Sequence, residues 1–203
     1  MKKIALLAAV AACAISAQAS AAAGDWMVRA RAIAITPDEE STINIGGKAD
    51  FNNQIVPELD FSYFFTDNIA AELILATAKH NATAEGTALG DVDVGSAWVL
   101  PPTLTLQYHF TNFEHFKPYL GAGINYTIYY NQDPGALNSI DIDNAFGLAL
   151  QAGVDVPINE KWGWNIDVKR IFVDADAKWN GGAVTADIDL DPWVIGTGIS
   201  YKF

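Results

Sequence analysis

The chain has 203 residues, of which 51% are hydrophobic, and a formal net charge of −12. That charge excludes the phosphate-attracting surface a nucleic-acid binder needs, so no nucleic-acid partner is expected. No apolar run beyond the opening segment is long enough for a spanning helix, and the one cysteine, Cys13, lies in that segment, so a disulfide framework is excluded as well.

Residues 1–23 read as a secretory signal. Lys2 and Lys3 form its basic start, Ile4 to Ile15 its apolar centre, and Ala17-Gln18-Ala19 through Ala21-Ala22-Ala23 offer small-residue cleavage sites, which places the mature start between Ser20 and Gly24. Val10-Ala11-Ala12-Cys13 loosely fits a lipoprotein site, but the apolar stretch continues past Cys13 to a conventional Ala-rich end. Residues 24–203 are expected to form one domain, and loss of Lys2 and Lys3 makes it more acidic still.

From Gly24 onward the dominant signal is period-two alternation. The first strand, Gly24 to Ile35, sets Val28, Ala30, Ala32 and Ala34 against Arg29 and Arg31. Residues 36–53 have the composition of a long loop. The second strand, Gln54 to Phe65, sets Ile55, Pro57, Leu59, Phe61 and Tyr63 against Glu58, Asp60 and Ser62, and Thr66-Asp67-Asn68 forms a tight turn. The third, Ile69 to His80, places Glu72 and Ile74 opposite Leu73 and Leu75, and residues 81–95 read as a second polar loop. The fourth, Ala97 to Phe110, sets Leu104, Leu106 and Tyr108 against Thr103, Thr105, Gln107 and His109.

The fifth strand, Pro118 to Asn131, and the sixth, Asn144 to Ile158, flank a third loop at 132–143 with room for a short helical turn. The seventh, Trp162 to Trp179, alternates cleanly until Arg170, where apolar Ile171 and Val173 suggest a phase slip and a bulge. The eighth begins at Val184 and shows a similar slip at Asp191-Pro192. It ends with Trp193, Ile195, Thr197, Ile199, Tyr201 and Phe203 on one face, against small or polar Gly196, Gly198 and Ser200.

Such a pattern suits two barrels. A soluble one would turn the large apolar face inward, whereas a membrane barrel turns it to lipid with aromatics at both interfaces. The terminal Phe203, with Tyr201 before it, resembles the carboxy-terminal signal of bacterial outer-membrane barrels, which implies barrel-assembly machinery as a partner. The expected fold is therefore all-β, an eight-stranded antiparallel transmembrane β-barrel with long extracellular loops and short periplasmic turns in the bacterial outer membrane.

Three motifs carry a more specific resemblance. Leu100-Pro101-Pro102-Thr103-Leu104, then Pro118-Tyr119-Leu120-Gly121-Ala122-Gly123-Ile124-Asn125-Tyr126-Thr127, then Asp191-Pro192-Trp193-Val194 resemble the OmpW family of outer-membrane proteins, AlkL-type alkane importers included. The resemblance implies a barrel that admits small hydrophobic molecules and releases them sideways into the outer membrane.

Candidate residues follow from the predicted inward faces. Arg29, Arg31, Glu58, Asp60, Glu72, Asp155, Asp167 and Lys169 are charges aimed at the lumen; pairing across strands would plug it, and simple interior packing is the plainer reading. Ile74 is a large apolar residue among small and acidic neighbours, suited either to the bottom of a ligand site or to filling space; Val99 and the loop-proximal Met27, Ile33 and Ile35 are weaker candidates for the same lining. Pro101 and Pro102, next to Leu100, remove two backbone donors, which either opens the wall between the third and fourth strands or ends pairing above the membrane. His80, His109 and His115 lack Ser and carboxylate partners in any catalytic pattern, so no enzyme, metal or cofactor is expected. A structural or recognition barrel whose loops bind partners is the alternative function. A monomer is the expected state.

Overall fold

The computed structural model describes residues 21–38, 40–44, 46–87 and 90–203, so the expected signal segment up to Ser20 lies outside the described residues. Its strands are β1 (Trp26–Thr36), β2 (Glu40–Ile43), β3 (Lys48–Phe51), β4 (Gln54–Phe64), β5 (Ile69–Ala76), β6 (Ala78–Thr87), β7 (Gly90–Leu100), β8 (Thr103–His109), β9 (Lys117–Asp133), β10 (Ile140–Ile142), β11 (Ala145–Pro157), β12 (Trp162–Trp179), β13 (Val184–Asp189) and β14 (Trp193–Lys202). They make eight antiparallel staves, because β1 continues as β2, β3 as β4, β5 as β6, β7 as β8, β10 as β11 and β13 as β14. The barrel closes where β1 pairs with β14 on one side and with β4 on the other.

Tight turns occupy one end, and local side-chain chemistry makes them. Thr66 Oγ1 accepts from the Asn68 and Ile69 amides at 3.2 and 2.9 Å, and Asn159 Oδ1 accepts from Lys161 and Trp162 at 3.0 and 2.9 Å. Near that end the outer wall carries paired rings, Trp26 with Tyr63, Tyr108 with Phe110, and Trp162 with Tyr201. A second ring lies higher, with Trp98 against Tyr130 and Tyr126 against Phe146. Between them Leu106, Ile124, Leu148 and Ile195 leave more than half of their surface exposed. A continuous apolar belt of this kind is far too large for water. From Trp162 to Phe172, at about 3.3 Å per residue and a tilt of ~40°, it is about 25 Å tall, the thickness of an outer-membrane hydrocarbon layer.

The structure corrects several expectations. Residues 36–53 hold the β2 and β3 strands, with β2 pairing to β13 and β3 to β6. The expected loop at 81–95 is the upper part of the β6–β7 hairpin. Residues 132–143 contain a turn closed by Leu137 N to Pro134 O at 3.0 Å, followed by β10, and no helical turn. In each case strand pairing above the membrane overrode turn-rich composition.

The two expected bulges are absent. Along β12 every odd residue from Gly163 to Trp179 faces inward without interruption. Arg170 stands opposite Trp193 and Asp174 opposite Asp189, so the register is the same on both sides of the Leu190–Pro192 break. The break is bridged instead: Asp191 Oδ1 accepts from the Val173 amide at 3.2 Å, and Ile171 N donates to Pro192 O at 3.2 Å. What changes near residue 170 is the solvent on each face. Phe172 is followed on the outside by Asp174, Asp176 and Lys178, and Lys169 is followed on the inside by Ile171, Val173 and Ala175. True irregularities lie elsewhere. The β6–β7 register shifts where Ala82 meets Gly95, whose positive φ of 110 suits glycine and whose Cβ position would collide with the Asp133 carbonyl.

Candidate functional site: an apolar chamber above a charged floor

The inward charges converge. Arg29 grips Asp155 with two nitrogens, Nε to Oδ1 at 3.1 Å and Nη2 to Oδ2 at 2.7 Å, and reaches Glu72 Oε1 at 2.7 Å. Arg31 lies 2.8 Å from Glu58 and 2.7 Å from Asp60, charge contacts without hydrogen-bond alignment, and 3.4 Å from Asp167. Lys169 Nζ bridges Glu58 at 2.8 Å and Asp167 at 3.0 Å. All eight expected floor residues are therefore in one buried cluster.

Neutral groups complete the floor. Gln151 donates to Glu72 and Asp167 at 2.8 and 2.9 Å, Gln107 donates to Glu72 at 2.6 Å, and the Tyr119 hydroxyl donates to Asp167 at 2.7 Å. Tyr119 can reach because Gly153 leaves room: a Cβ there would lie 2.3 Å from the phenol oxygen. Three cations facing five carboxylates fill the lower lumen as a buried network, in which Asp60 is held by its charge contact with Arg31.

Above Lys169 the interior becomes apolar. Ile33, Ala149, Ile171, Val173 and Val194 pack as a layer over the charges. Over that layer lies a cavity of about 330 Å³, walled by Ile35, Val92, Val94, Val99, Ala175, Ala177, Trp179 and Ile188 among others. Most of its wall comes from the parts of β2, β3, β6, β7, β10, β12 and β13 beyond the upper aromatic ring, where Asp174, Asp176 and Lys178 face outward, and Val99 and Tyr129 join it at the height of that ring. His80, also lining it, is held below the ordinary imidazole pKa by burial, so it contributes no charge at neutral pH. Outside, Asp174 stands opposite Asp189 and Asp176 opposite Asp187; desolvation and Asp189 together raise the Asp174 pKa.

Of the expected lining residues, Ile35 and Val99 do line the cavity. Ile33 belongs to the layer beneath it, and Ile74, opposite Asp60 and Thr103, is buried at floor level and does not reach it. Met27 is a correction: it packs with Phe64 and Ala70 at the tight-turn end, below the charges, because β1 starts there. Sequence reasoning missed Val94, Ala177, Trp179, Ile188 and Tyr129. The signal was present in the continued alternation of Ile171, Val173, Ala175, Ala177 and Trp179 with charged partners.

The wall is interrupted beside Leu100-Pro101-Pro102. The β5–β8 ladder ends at Ile74 opposite Thr103, and the β6–β7 ladder resumes at Ala78 opposite Val99. A recess of about 60 Å³ shares Ile35, His80, Val99 and Pro192 with the main cavity and reaches Thr77 and Pro101 at this break. On the outer surface the Thr77 hydroxyl donates to the Val99 carbonyl at 3.2 Å and meets the Tyr130 hydroxyl at 2.7 Å. Tyr201 and Phe203 belong to the lower aromatic ring, 5.9 Å apart.

A barrel with this belt, floor and chamber can be compared with known proteins. The OmpW family pattern matches residues 22–203. The chain belongs to the OmpW family. It is an outer-membrane protein, embedded in lipid through the belt described above. It is 49% identical over 184 residues to an uncharacterized outer-membrane protein, y4mB, of Sinorhizobium fredii, covering 88% of this chain and 80% of that one. Identity to outer membrane protein AlkL of Ectopseudomonas oleovorans is 31% over 195 residues, covering 89% and 83%. Among solved structures, the crystal structure of OprG from Pseudomonas aeruginosa superposes with a TM-score of 0.84 at 31% identity, covering 90% of this chain and 97% of that one.

Proposed function

We propose that this OmpW-family barrel carries small hydrophobic molecules passively across the polar outer layer and releases them sideways into the outer membrane. The observation that carries the reading is the recess joining the apolar chamber to the wall at Thr77 and Pro101. A solute entering from the loop side meets apolar walls above the membrane, where water is otherwise the alternative solvent. The charged floor denies it the straight route, because an apolar molecule cannot replace the bonds of Arg29, Arg31 and Lys169. The remaining exit is the missing ladder segment between Ile74–Thr103 and Ala78–Val99.

Leu100, Pro101 and Pro102 frame this exit, and Ile35 and Val99 line the approach to it. Tyr201 and Phe203 serve recognition by the assembly machinery, and one barrel suffices for the route, so a monomer is the working unit. Neither a catalytic step nor a cofactor enters this scheme. A purely structural or recognition barrel would be expected to be packed along its full length, and an open chamber of about 330 Å³ favours transport instead. The test is the rate at which naphthalene enters cells that make the protein and cells that lack it. Faster entry with the protein is expected; equal rates would reject uptake.

A further inference from the structure

Above the membrane the first two staves come apart. β1 and β4 pair as far as Ile35 opposite Gln54, but β2 then pairs with β13 and β3 with β6, and among the described residues no ladder joins β2 to β3. Ser41 stands opposite Ile188, and Ile188 opposite Ala175, so this seam lies above Phe172 and the lipid belt. A side chain ties it: Ser41 Oγ accepts from the Ala49 amide at 2.8 Å. Inside the seam is the apolar chamber, which Ile43, Ala49 and Phe51 line. Outside is a groove of about 540 Å³, walled by Ser41, Thr42, Lys48, Ala49, Asp50 and Glu85 among others. Ala49 borders both spaces, so the wall there is one alanine thick.

The loop-side end of the chamber is fastened more firmly. Trp179 Nε1 donates to the Val94 carbonyl at 2.8 Å, and because β9 and β10 separate β12 from β7, this bond crosses the lumen. Residues 134–139 strap the same end: Ala136 N donates to Asp93 O at 3.1 Å, and Asn138 N to Asn180 Oδ1 at 2.9 Å. Leu137 packs against the cluster that holds Trp179 and Val94. We infer that the apolar solute enters the chamber sideways, out of the polar layer and through the β2–β3 seam, and not from the top between the loops. This rests on the uptake reading and gives its route a mouth. Opening the seam breaks the Ser41–Ala49 bond at the edge of a wet groove, where water takes its place. Opening the top breaks the buried Trp179–Val94 bond, which water does not replace, and the bonds of the strap as well.

The experiment staples the seam. The expected mature chain has no cysteine, since Cys13 lies in the signal segment, so Ser41→Cys/Ala49→Cys places the only thiols at the Ser41–Ala49 contact. A short bis-methanethiosulfonate bridges them and a reductant frees them, so one protein is measured shut and open. Naphthalene entry into cells with the bridged form should fall to the rate of cells lacking the protein, and reduction should restore it. Bridging Asp93→Cys/Ala136→Cys, which fastens the strap to β7, should leave entry as it is in the reduced form of that variant. Equal entry in the bridged and reduced seam variant would overturn the side mouth. Loss of entry on bridging the strap would place the mouth at the top and overturn it too, and in both cases the chamber and its exit stand. Should the seam variant not assemble, Thr42→Cys/Lys48→Cys bridges the outer side of the same seam and is read in the same way. If the wild type itself admits naphthalene no faster than cells lacking the protein, the uptake reading fails instead.

Discussion

Lys169 and Ile171 are successive inward-facing residues of β12, and the lumen changes character between them. Lys169 bonds Glu58 and Asp167 in the floor, whereas Ile171 packs with Ile33, Ala149, Val173 and Val194. The outer face inverts at almost the same height, from Phe172 in the belt to Asp174 in water. One uninterrupted strand thus serves two pairs of solvents: lipid outside a polar core below, and water outside an apolar core above.

The floor should answer strongly to loss of one member. Arg29→Ala leaves Glu72 and Asp155 buried without their cation, which should lower stability by about 3–5 kcal/mol. Urea unfolding in lipid, followed by the mobility shift of the folded barrel on gels, measures it. Lys178→Ala, whose partner Asp143 is exposed, is the control and should leave the midpoint unchanged.

The same floor should stop ions. In planar bilayers the wild-type barrel should show no large, steady, ohmic conductance, since the network fills the lumen from Glu58 to Asp155. A steady open channel would contradict a sealed floor.

Restoring donors at the wall break should slow release. Replacing Pro101 and Pro102 by Val supplies two amides to the gap between Thr103 and Leu100. Residue 102, whose carbonyl accepts from Tyr126 N, faces β9, so one added ladder bond, from residue 101, would stabilise the closed wall by about 1 kcal/mol, which reduces an open population roughly fivefold. Solute uptake should fall accordingly with folding intact; unchanged uptake would place the exit elsewhere.

Acidification should weaken solute binding through His80. Burial lowers its pKa from the ordinary value of about 6.5, with the Asn52 carbonyl in partial opposition. A base with a lowered pKa is fully neutral above its unfolded value, and the stability this supplies is lost as pH falls through the folded one. Naphthalene affinity should therefore hold from neutral pH to below 6.5 and decline only further into acid, and His80→Gln should flatten the profile. A decline centred at an ordinary imidazole pKa would mean His80 is solvated.

Much of the barrel was legible in the sequence because lipid imposes a simple rule on one face. In β4, β8 and β14 the apolar residues of the alternation face outward as expected, and the charges of β1, β5 and β12 meet in the floor. The rule misled where the membrane ends. Ile171 and Val173 looked like a phase slip only because apolar residues were assumed to face outward throughout, and above Phe172 that assumption reverses. Met27 shows a different limit: parity says that it faces inward but not at which end of the stave it lies, and β1 begins at the tight turns. Strand pairing at 36–53 and 81–95 depended on partners distant in sequence, β13 for β2 and β3 for β6, which composition does not reveal.

The path of the solute is the point on which most depends, and a photoreactive naphthyl azide can trace it. Activated in outer membranes containing the wild-type barrel, it should label Val99 and the wall at Thr77, Leu100 and Pro101, as read by mass spectrometry of the peptides. Label concentrated on Tyr119, His109 and the residues around Arg29 would mean that the solute passes down through the floor, and the sideways route would be wrong.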